Sequence, residues 1–363
     1  MTVSQQTQTQ YPCSGCGASL EFAPGTTVLK CPYCGTETPV AAADRAIREH
    51  SWAAFTGLPR KPIATLAPHV FTCRGCGAVT QSDKISERCQ FCGAALVADV
   101  TSGEQVVPEA VLPFLIDRPA LREALRGWAS SRWFAPNSLK RVSEAESSHS
   151  SYLPHWTYDA NTVSAYRGER GDHYWETESY TENGETKTRQ VQKTRWWSAN
   201  GVVSRTFDDV LVTGTTRVMP KHLDALEPWP LPDAEPYRPD YLAGHETLRY
   251  DVEPEAGLDA AKSRMASVIE DDCKRDIGGD EQRVHSVDTE YHDLTFKLML
   301  LPVWIACYLH AGRTFNVLVN GRTAEVAGER PYSAAKITAT VIAALLLIAT
   351  IVVAIQLHRT GRI

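Results

Sequence analysis

Four Cys-x-x-Cys pairs constrain the fold of this 363-residue chain more than any other feature. Each pair is followed directly by glycine, and the pairs form two units whose leading cysteines, Cys13 and Cys73, lie 60 positions apart. This spacing is typical of zinc ribbons, in which two tight turns each supply two thiolates to a tetrahedral Zn²⁺ ion. The predicted metal ligands are Cys13, Cys16, Cys31 and Cys34 in the first ribbon and Cys73, Cys76, Cys89 and Cys92 in the second.

Both predicted Zn²⁺ sites are expected to be structural. A unit of about 30 residues cannot bury a sufficient core alone, so the metal would be its main stabiliser. Disulfides or a thioredoxin-like redox motif are the alternatives, but such a motif occurs once, at the start of a helix. The glycine after each pair is expected to allow a tight turn where a Cβ would clash. Metal-binding thiols also favour a reducing compartment.

Charge around the ribbons favours protein partners over nucleic acid. Residues 1–100 contain eight Lys/Arg and seven Asp/Glu, a net charge of +1. Two zinc sites with four thiolates each would bring this to about −3, which is no basic footprint for phosphates. Protein is therefore the expected partner of the ribbons, and nucleic acid is the alternative.

A long apolar run near the C-terminus predicts a transmembrane helix. No charged residue occurs from Ile337 to Leu357, and 21 helical residues span roughly 31 Å, the thickness of a bilayer's hydrocarbon core. The polar residues 1–10 do not resemble a signal peptide, and the thiols need reducing conditions. We therefore expect a single-pass protein of the cell inner (cytoplasmic) membrane, with its N-terminal domains in the cytosol and the lipid bilayer as a partner.

The middle of the chain predicts an α+β domain. Helices are expected from about Pro119 to Trp133 and from about Leu258 to Ile277, and the apolar stripe of the second predicts a buried, inert Cys273. Each helix is followed by a Leu-Pro-x-Trp phrase that begins a strand, at Leu153–Trp156 and Leu301–Trp304. A duplicated unit of helix and antiparallel strands explains this recurrence.

Between these phrases, Asn183-Gly184 predicts a two-residue hairpin turn. Residues whose numbers sum to 367 would then face each other, so Glu178 would face Arg189. The basic stripe before Trp196-Trp197 would lie against acidic and aromatic side chains. We expect a β-hairpin that projects into solvent and whose basic side chains are neutralised by acidic side chains on its other strand. A phosphate-binding strand is the alternative.

No catalytic constellation is present in the sequence. The chain has no GxxxxGK[ST], HExxH, GxSxG or GxGxxG motif, and we predict a protein that is not an enzyme. The paired carboxylates Asp208-Asp209 and Asp271-Asp272 are expected to be solvated surface. The predicted domains are 1–10 disordered, 11–40 first ribbon, 41–68 helical linker, 69–98 second ribbon, 99–335 α+β domain, 336–357 transmembrane helix and 358–363 short tail.

Seven further stretches carry a family resemblance: Val111–Phe114, Arg132–Pro136, Tyr152–Trp156, Phe207–Leu211, Tyr241–Gly244, Leu300–Trp304 and Val319–Gly321. In these stretches and the cysteine pairs the chain resembles a family of bacterial membrane proteins with N-terminal zinc ribbons. These proteins are often labelled as related to the primosomal replication factor Y helicase, and some look like membrane partners of phage-shock protein A-like and SPFH-type envelope-stress proteins. Without a phosphate loop, helicase activity does not carry over. The resemblance thus implies a zinc-ribbon adaptor that recruits proteins to the membrane, with a membrane-tethered nucleic-acid or replication factor as the alternative.

Overall fold

The computed structural model of the protein describes residues 8–43, 45–57, 62–98, 100, 105–135, 139, 148–310, 312–329 and 332–359. Residues 1–7 of the predicted disordered start and residues 360–363 of the predicted tail lie outside the described residues. The prediction of disorder is wrong for Gln8 and Thr9. These two residues form a strand because their backbone pairs with Ala98 and Val97.

The two ribbons are small antiparallel units. The first contains a three-stranded sheet within residues 21–39, and the second contains two hairpins, one within residues 69–82 and one within residues 86–98. The predicted helical linker is mostly not helical: in its described residues the one α-helix is a short segment whose Phe55 packs against Phe296, with ring centroids 4.7 Å apart. Elements up to residue 98 are β1 (Gln8–Thr9), β2 (Glu21–Phe22), β3 (Val28–Lys30), β4 (Glu37–Pro39), β5 (His50–Ser51), α1 (Trp52–Thr56), β6 (His69–Thr72), β7 (Val79–Ser82), β8 (Ser86–Arg88) and β9 (Ala95–Ala98).

The body is a large mixed sheet with helices on it, which agrees with an α+β protein in which strands predominate. Its long central strands lie side by side, and the ribbon strands β1, β9 and β8 extend the same sheet through β14. Elements of the body are β10 (Ala110–Val111), α2 (Arg118–Ser130), β11 (His149–Glu182), β12 (Glu185–Thr213), α3 (Pro220–Asp224), β13 (Glu235–Pro236), β14 (Glu246–Thr247), α4 (Pro254–Ile277), β15 (Glu281–His310), β16 (Arg313–Asn320), β17 (Val326–Gly328) and α5 (Ala334–Arg359).

Two copies of one β-α-β-β arrangement form the centre of this sheet. In each copy six residues separate a short strand from its helix, β10 from α2 and β14 from α4. The long strands β11 and β15 are antiparallel, with Leu153 facing Leu301. The prediction that the Leu-Pro-x-Trp phrases begin strands is wrong, because both phrases lie within these long strands and pair with each other there. Each short strand pairs in parallel with the long strand of the other copy, β10 at Met299–Leu300 and β14 at Ser151–Tyr152. Both pairing sites are 148 positions apart, as are Leu153 and Leu301, which supports the predicted duplication.

The β11–β12 hairpin has the predicted register. Glu178 faces Arg189, and the pairs sum to 367 from Ala160–Phe207 to the turn, where Asn183 and Gly184 have φ values of 54° and 81°. Across the ribbon, Lys193 Nζ lies 2.9 Å from both Glu176 and Glu178. The basic stripe is therefore matched by carboxylates on the opposing strand.

Helix α4 lies on the sheet and buries the predicted stripe, including Met265 and Cys273. The prediction of solvated carboxylates is wrong for Asp272, whose side chain is only 12% exposed and accepts two hydrogen bonds from Arg205. It holds for Asp271, which is 69% exposed. The two neighbours differ because Asp272 faces β12 and Asp271 faces away.

Candidate metal centres and the surface around them

The four Cys-x-x-Cys turns share one backbone geometry. The amide of each following glycine donates to the carbonyl of the first cysteine, as in Gly17 to Cys13 at 2.9 Å and Gly93 to Cys89 at 2.9 Å. All four glycines have φ between 75° and 77°, where side-chain-bearing residues are strained. The predicted Cβ clash is wrong, because an added Cβ would meet no atom of the described residues within 4 Å. Glycine is therefore required at these positions by the positive φ of the backbone and not by a lack of space for a side chain.

The eight predicted ligands form two separate four-sulfur clusters, each within 4.8 Å. In the first, Cys13 Sγ lies 3.4 Å from Cys34 Sγ, and Cys16 Sγ lies 3.5 Å from Cys31 Sγ. The second has 3.4 Å for Cys73–Cys92 and 3.7 Å for Cys76–Cys89. Metal–sulfur bonds of about 2.3 Å give a tetrahedron with edges of about 3.8 Å, whereas a disulfide needs about 2.05 Å. Each cluster could therefore hold one metal ion.

Hydrogen bonds around the sulfurs favour thiolates at particular positions. The Thr36 hydroxyl, 3.1 Å from Cys34 Sγ, lowers the pKa of that thiol to about 6. A backbone hydrogen bond from Cys92 lowers the pKa of Cys89 to about 7. At Cys16 the backbone amide of Ala18 lowers the pKa, but the adjacent thiols of Cys31 and Cys34 outweigh it and raise the value to about 12. Four adjacent sulfurs thus compete for protons unless a cation neutralises them.

One exposed aromatic side chain lies beside each metal centre. Tyr33 and Phe91 are 78% and 75% exposed, and each precedes the last cysteine of its ribbon. Sequence reasoning missed them. Aligning Cys31 with Cys89 places Tyr33 and Phe91 at the same position, so the internal repeat contained the signal.

Three basic side chains near the ribbons are paired with carboxylates. Arg88 donates to both oxygens of Glu21 at 2.5 and 2.6 Å, and Lys30 Nζ lies 2.9 Å from Glu37. Lys84 Nζ lies 3.0 Å from Glu246 of β14. These three cations are engaged within the protein, so they present little free positive charge to a phosphate.

A third cluster, of carboxylates, lies at an irregularity in the β11–β12 pairing. Asp159, Asp208 and Asp209 lie close enough to hold an ion. However, Asp159 accepts from the Asp209 amide at 2.6 Å, and Asp209 forms an ion pair with the buried Lys297. The predicted solvated surface is thus wrong for Asp209, and this cluster is explained by its protein partners.

Comparison with known proteins gives a distant relative that aligns with most of the chain. The chain is 25% identical over 332 residues to the uncharacterized protein YdjG of Bacillus subtilis (strain 168). The aligned residues make up 91% of this chain and 92% of the relative. No protein-family model matches the chain, and no solved structure matches it. The chain is thus similar to YdjG over most of its length.

Proposed function

We propose that the protein is a non-enzymatic membrane adaptor whose zinc-loaded ribbons recruit protein partners to the cytosolic face of the bacterial inner membrane. Tyr33 and Phe91 carry this proposal, because each projects an uncovered ring beside a metal centre. Exposed aromatic residues on a rigid support are typical anchors of protein interfaces. Fixed by metal-bound turns, the two rings would be presented with little loss of conformational entropy on binding.

Zn²⁺ is the proposed metal in both clusters. Four cysteine sulfurs in a tetrahedral arrangement suit Zn²⁺, whereas Ca²⁺ and Mg²⁺ prefer oxygen ligands. With all four positions filled by protein, the role would be to hold the turns in place. The eight cysteines in two clusters support this assignment.

The proposed anchor is α5. Its residues Ala334–Gln356 have the length and composition of a membrane span, and none of the span is buried by the protein. A cytosolic position of the ribbons fits metal-binding thiols. The resemblance to membrane partners of envelope-stress proteins suggests phage-shock protein A-like or SPFH-type partners.

The test is cross-linking of the full-length protein in native membranes, followed by mass spectrometry. The double variant Tyr33→Ala, Phe91→Ala should reduce recovery of specific protein partners at least about tenfold, because two interface anchors are removed. Trp175→Ala removes a comparably exposed ring from the β11–β12 hairpin, far from the cysteine clusters in sequence, and should leave recovery unchanged. Metal content equal to wild type would show that the ribbons remain folded.

Recovery of DNA or RNA, with binding that falls steeply as salt increases, would instead support the alternative of a nucleic-acid factor. Unchanged recovery of protein partners by the double variant would also contradict the proposed role of the two rings.

A further inference from the structure

The end of α2 and the start of α5 form a cleft of about 660 Å³. One wall contains Ser130, Arg132 and Trp133, and the other contains Lys336, Thr340 and Ala343. The walls are joined directly, because Ser333 N donates to Phe134 O at 2.8 Å and Lys336 Nζ donates to Ala135 O at 2.7 Å. Since Ala343 lies about 10 Å along the helix from Lys336, the cleft covers the first two turns of the proposed span.

Aromatic side chains at this level match a membrane interface. Trp133 is 74% exposed, Phe134 is partly exposed, and Tyr332 is exposed just before α5 begins. Trp and Tyr concentrate where hydrocarbon meets headgroups, because their rings are apolar and their polar atoms remain hydrated. Beside a membrane span, exposed rings at this level match the position of the interface.

A row of basic residues on α2 ends at the same cleft. Arg122, Arg126 and Ser130 recur every four residues, so they lie in one row on the exposed face of the helix. Residues 118–135 contain four arginines and one acid, Glu123. Arg132 lies over the Trp128 ring at 5.7 Å, and its buried Nε has no hydrogen-bond partner among the described residues. Arg132 thus lies at the end of this row, where it lines the cleft opposite Lys336.

We infer that this cleft binds an anionic phospholipid of the surrounding bilayer, with Arg132 and Lys336 at the headgroup phosphate and Trp133 against the upper acyl chain. The inference rests on the proposed span. The body would then lie against the membrane surface along α2, with Arg122 and Arg126 over neighbouring anionic headgroups.

The first test uses full-length protein in nanodiscs of phosphatidylcholine with a minor fraction of phosphatidylglycerol. Benzoylphenylalanine, a photo-cross-linker, replaces Trp133, Leu345 in the span or Trp175 in the β11–β12 ribbon. Lipid adducts are expected at 133 and 345 and not at 175. Adducts at 345 without adducts at 133 would overturn the cleft while leaving the span intact, and no adducts at 345 would overturn the span itself.

The second test measures which headgroup is captured at position 133. Arg132→Gln and Lys336→Gln should each lower the ratio of phosphatidylglycerol to phosphatidylcholine adducts by about threefold or more, because a charge at the phosphate is lost. Lys187→Gln removes an equal charge at the far end of the β11–β12 ribbon and should leave the ratio unchanged. A ratio that neither cleft variant alters would overturn the proposed selection of anionic lipid.

Discussion

At the scale of single residues, burial keeps the His155 side chain neutral in the folded protein at pH values where the unfolded chain would bind a proton. His155 is 2% exposed in the centre of the sheet, and its Nδ1 donates to the Leu153 carbonyl at 3.0 Å. Desolvation lowers the pKa of His155 to about 4, below the value near 6.5 expected in the unfolded chain. The unfolded state therefore binds the proton first as pH falls. The stability associated with a neutral His155 is complete above pH 6.5 and decreases toward pH 4.

His155→Asn should remove this pH dependence, because an asparagine amide can still donate to Leu153 but does not titrate. Between pH 6.5 and 5.5 the wild type should lose about 1 kcal/mol more of its free energy of unfolding than the variant. Urea unfolding of the full chain in detergent at both pH values measures this. Acid release of metal affects both proteins alike and cancels in the difference. Equal losses in the two proteins would contradict the assignment.

The two four-cysteine clusters could be predicted because the geometry of each turn is local: the spacing of the cysteines and a following glycine define it. The exposure of Tyr33 and Phe91 could not, since it depends on which faces of the ribbons pack on the body. Asp271 and Asp272 show the same limit. Sequence gives both the same polar character, whereas only the position of α4 on β12 decides that Asp272 meets Arg205.

At the scale of elements, that ion pair joins helix to sheet. Asp272→Asn should lower the free energy of unfolding by about 1–3 kcal/mol, because the partly exposed guanidinium of Arg205 loses its charged acceptor, the nearly buried Asp272 carboxylate. Asp271→Asn, one residue away and exposed, should change it by less than about 0.5 kcal/mol. Chemical denaturation followed by tryptophan fluorescence compares the two variants. Equal effects would mean that the ion pair with Arg205 contributes nothing specific.

Helix positions and the hairpin register followed from periodicity and turn chemistry. Helix α4 ends at Ile277 as predicted, and α2 ends at Ser130, three residues before the predicted Trp133. The exchange of β10 and β14 between the two copies could not be predicted, since parallel pairing between segments 189 and 95 residues apart leaves no local pattern. It explains why the Leu-Pro-x-Trp phrases occur twice: they form the paired centre of both halves.

At the scale of the whole molecule, the first ribbon is part of the body's core. Cys13, Phe22 and Leu29 belong to one buried cluster with Tyr152 and Trp304. Cys73 and Cys89 instead pack with Phe71 and Leu96 in a separate small cluster. The predicted division into independent ribbons and body therefore understates the coupling at the first metal centre, which tertiary packing alone creates.

Loss of the first metal should consequently loosen the centre of the sheet. In Cys31→Ser, amide hydrogen exchange in peptides covering residues 149–156 should accelerate at least about tenfold, equivalent to about 1.4 kcal/mol of lost protection. Cys73→Ser removes a buried ligand of the second site and should accelerate the same peptides less, because its cluster does not contact Tyr152. If exchange at 149–156 stayed at the wild-type rate in Cys31→Ser while metal content fell by half, the first ribbon would be an independent module. A larger effect of Cys73→Ser would assign the coupling to the β8–β14 pairing instead, since that is the route by which the second ribbon joins the sheet.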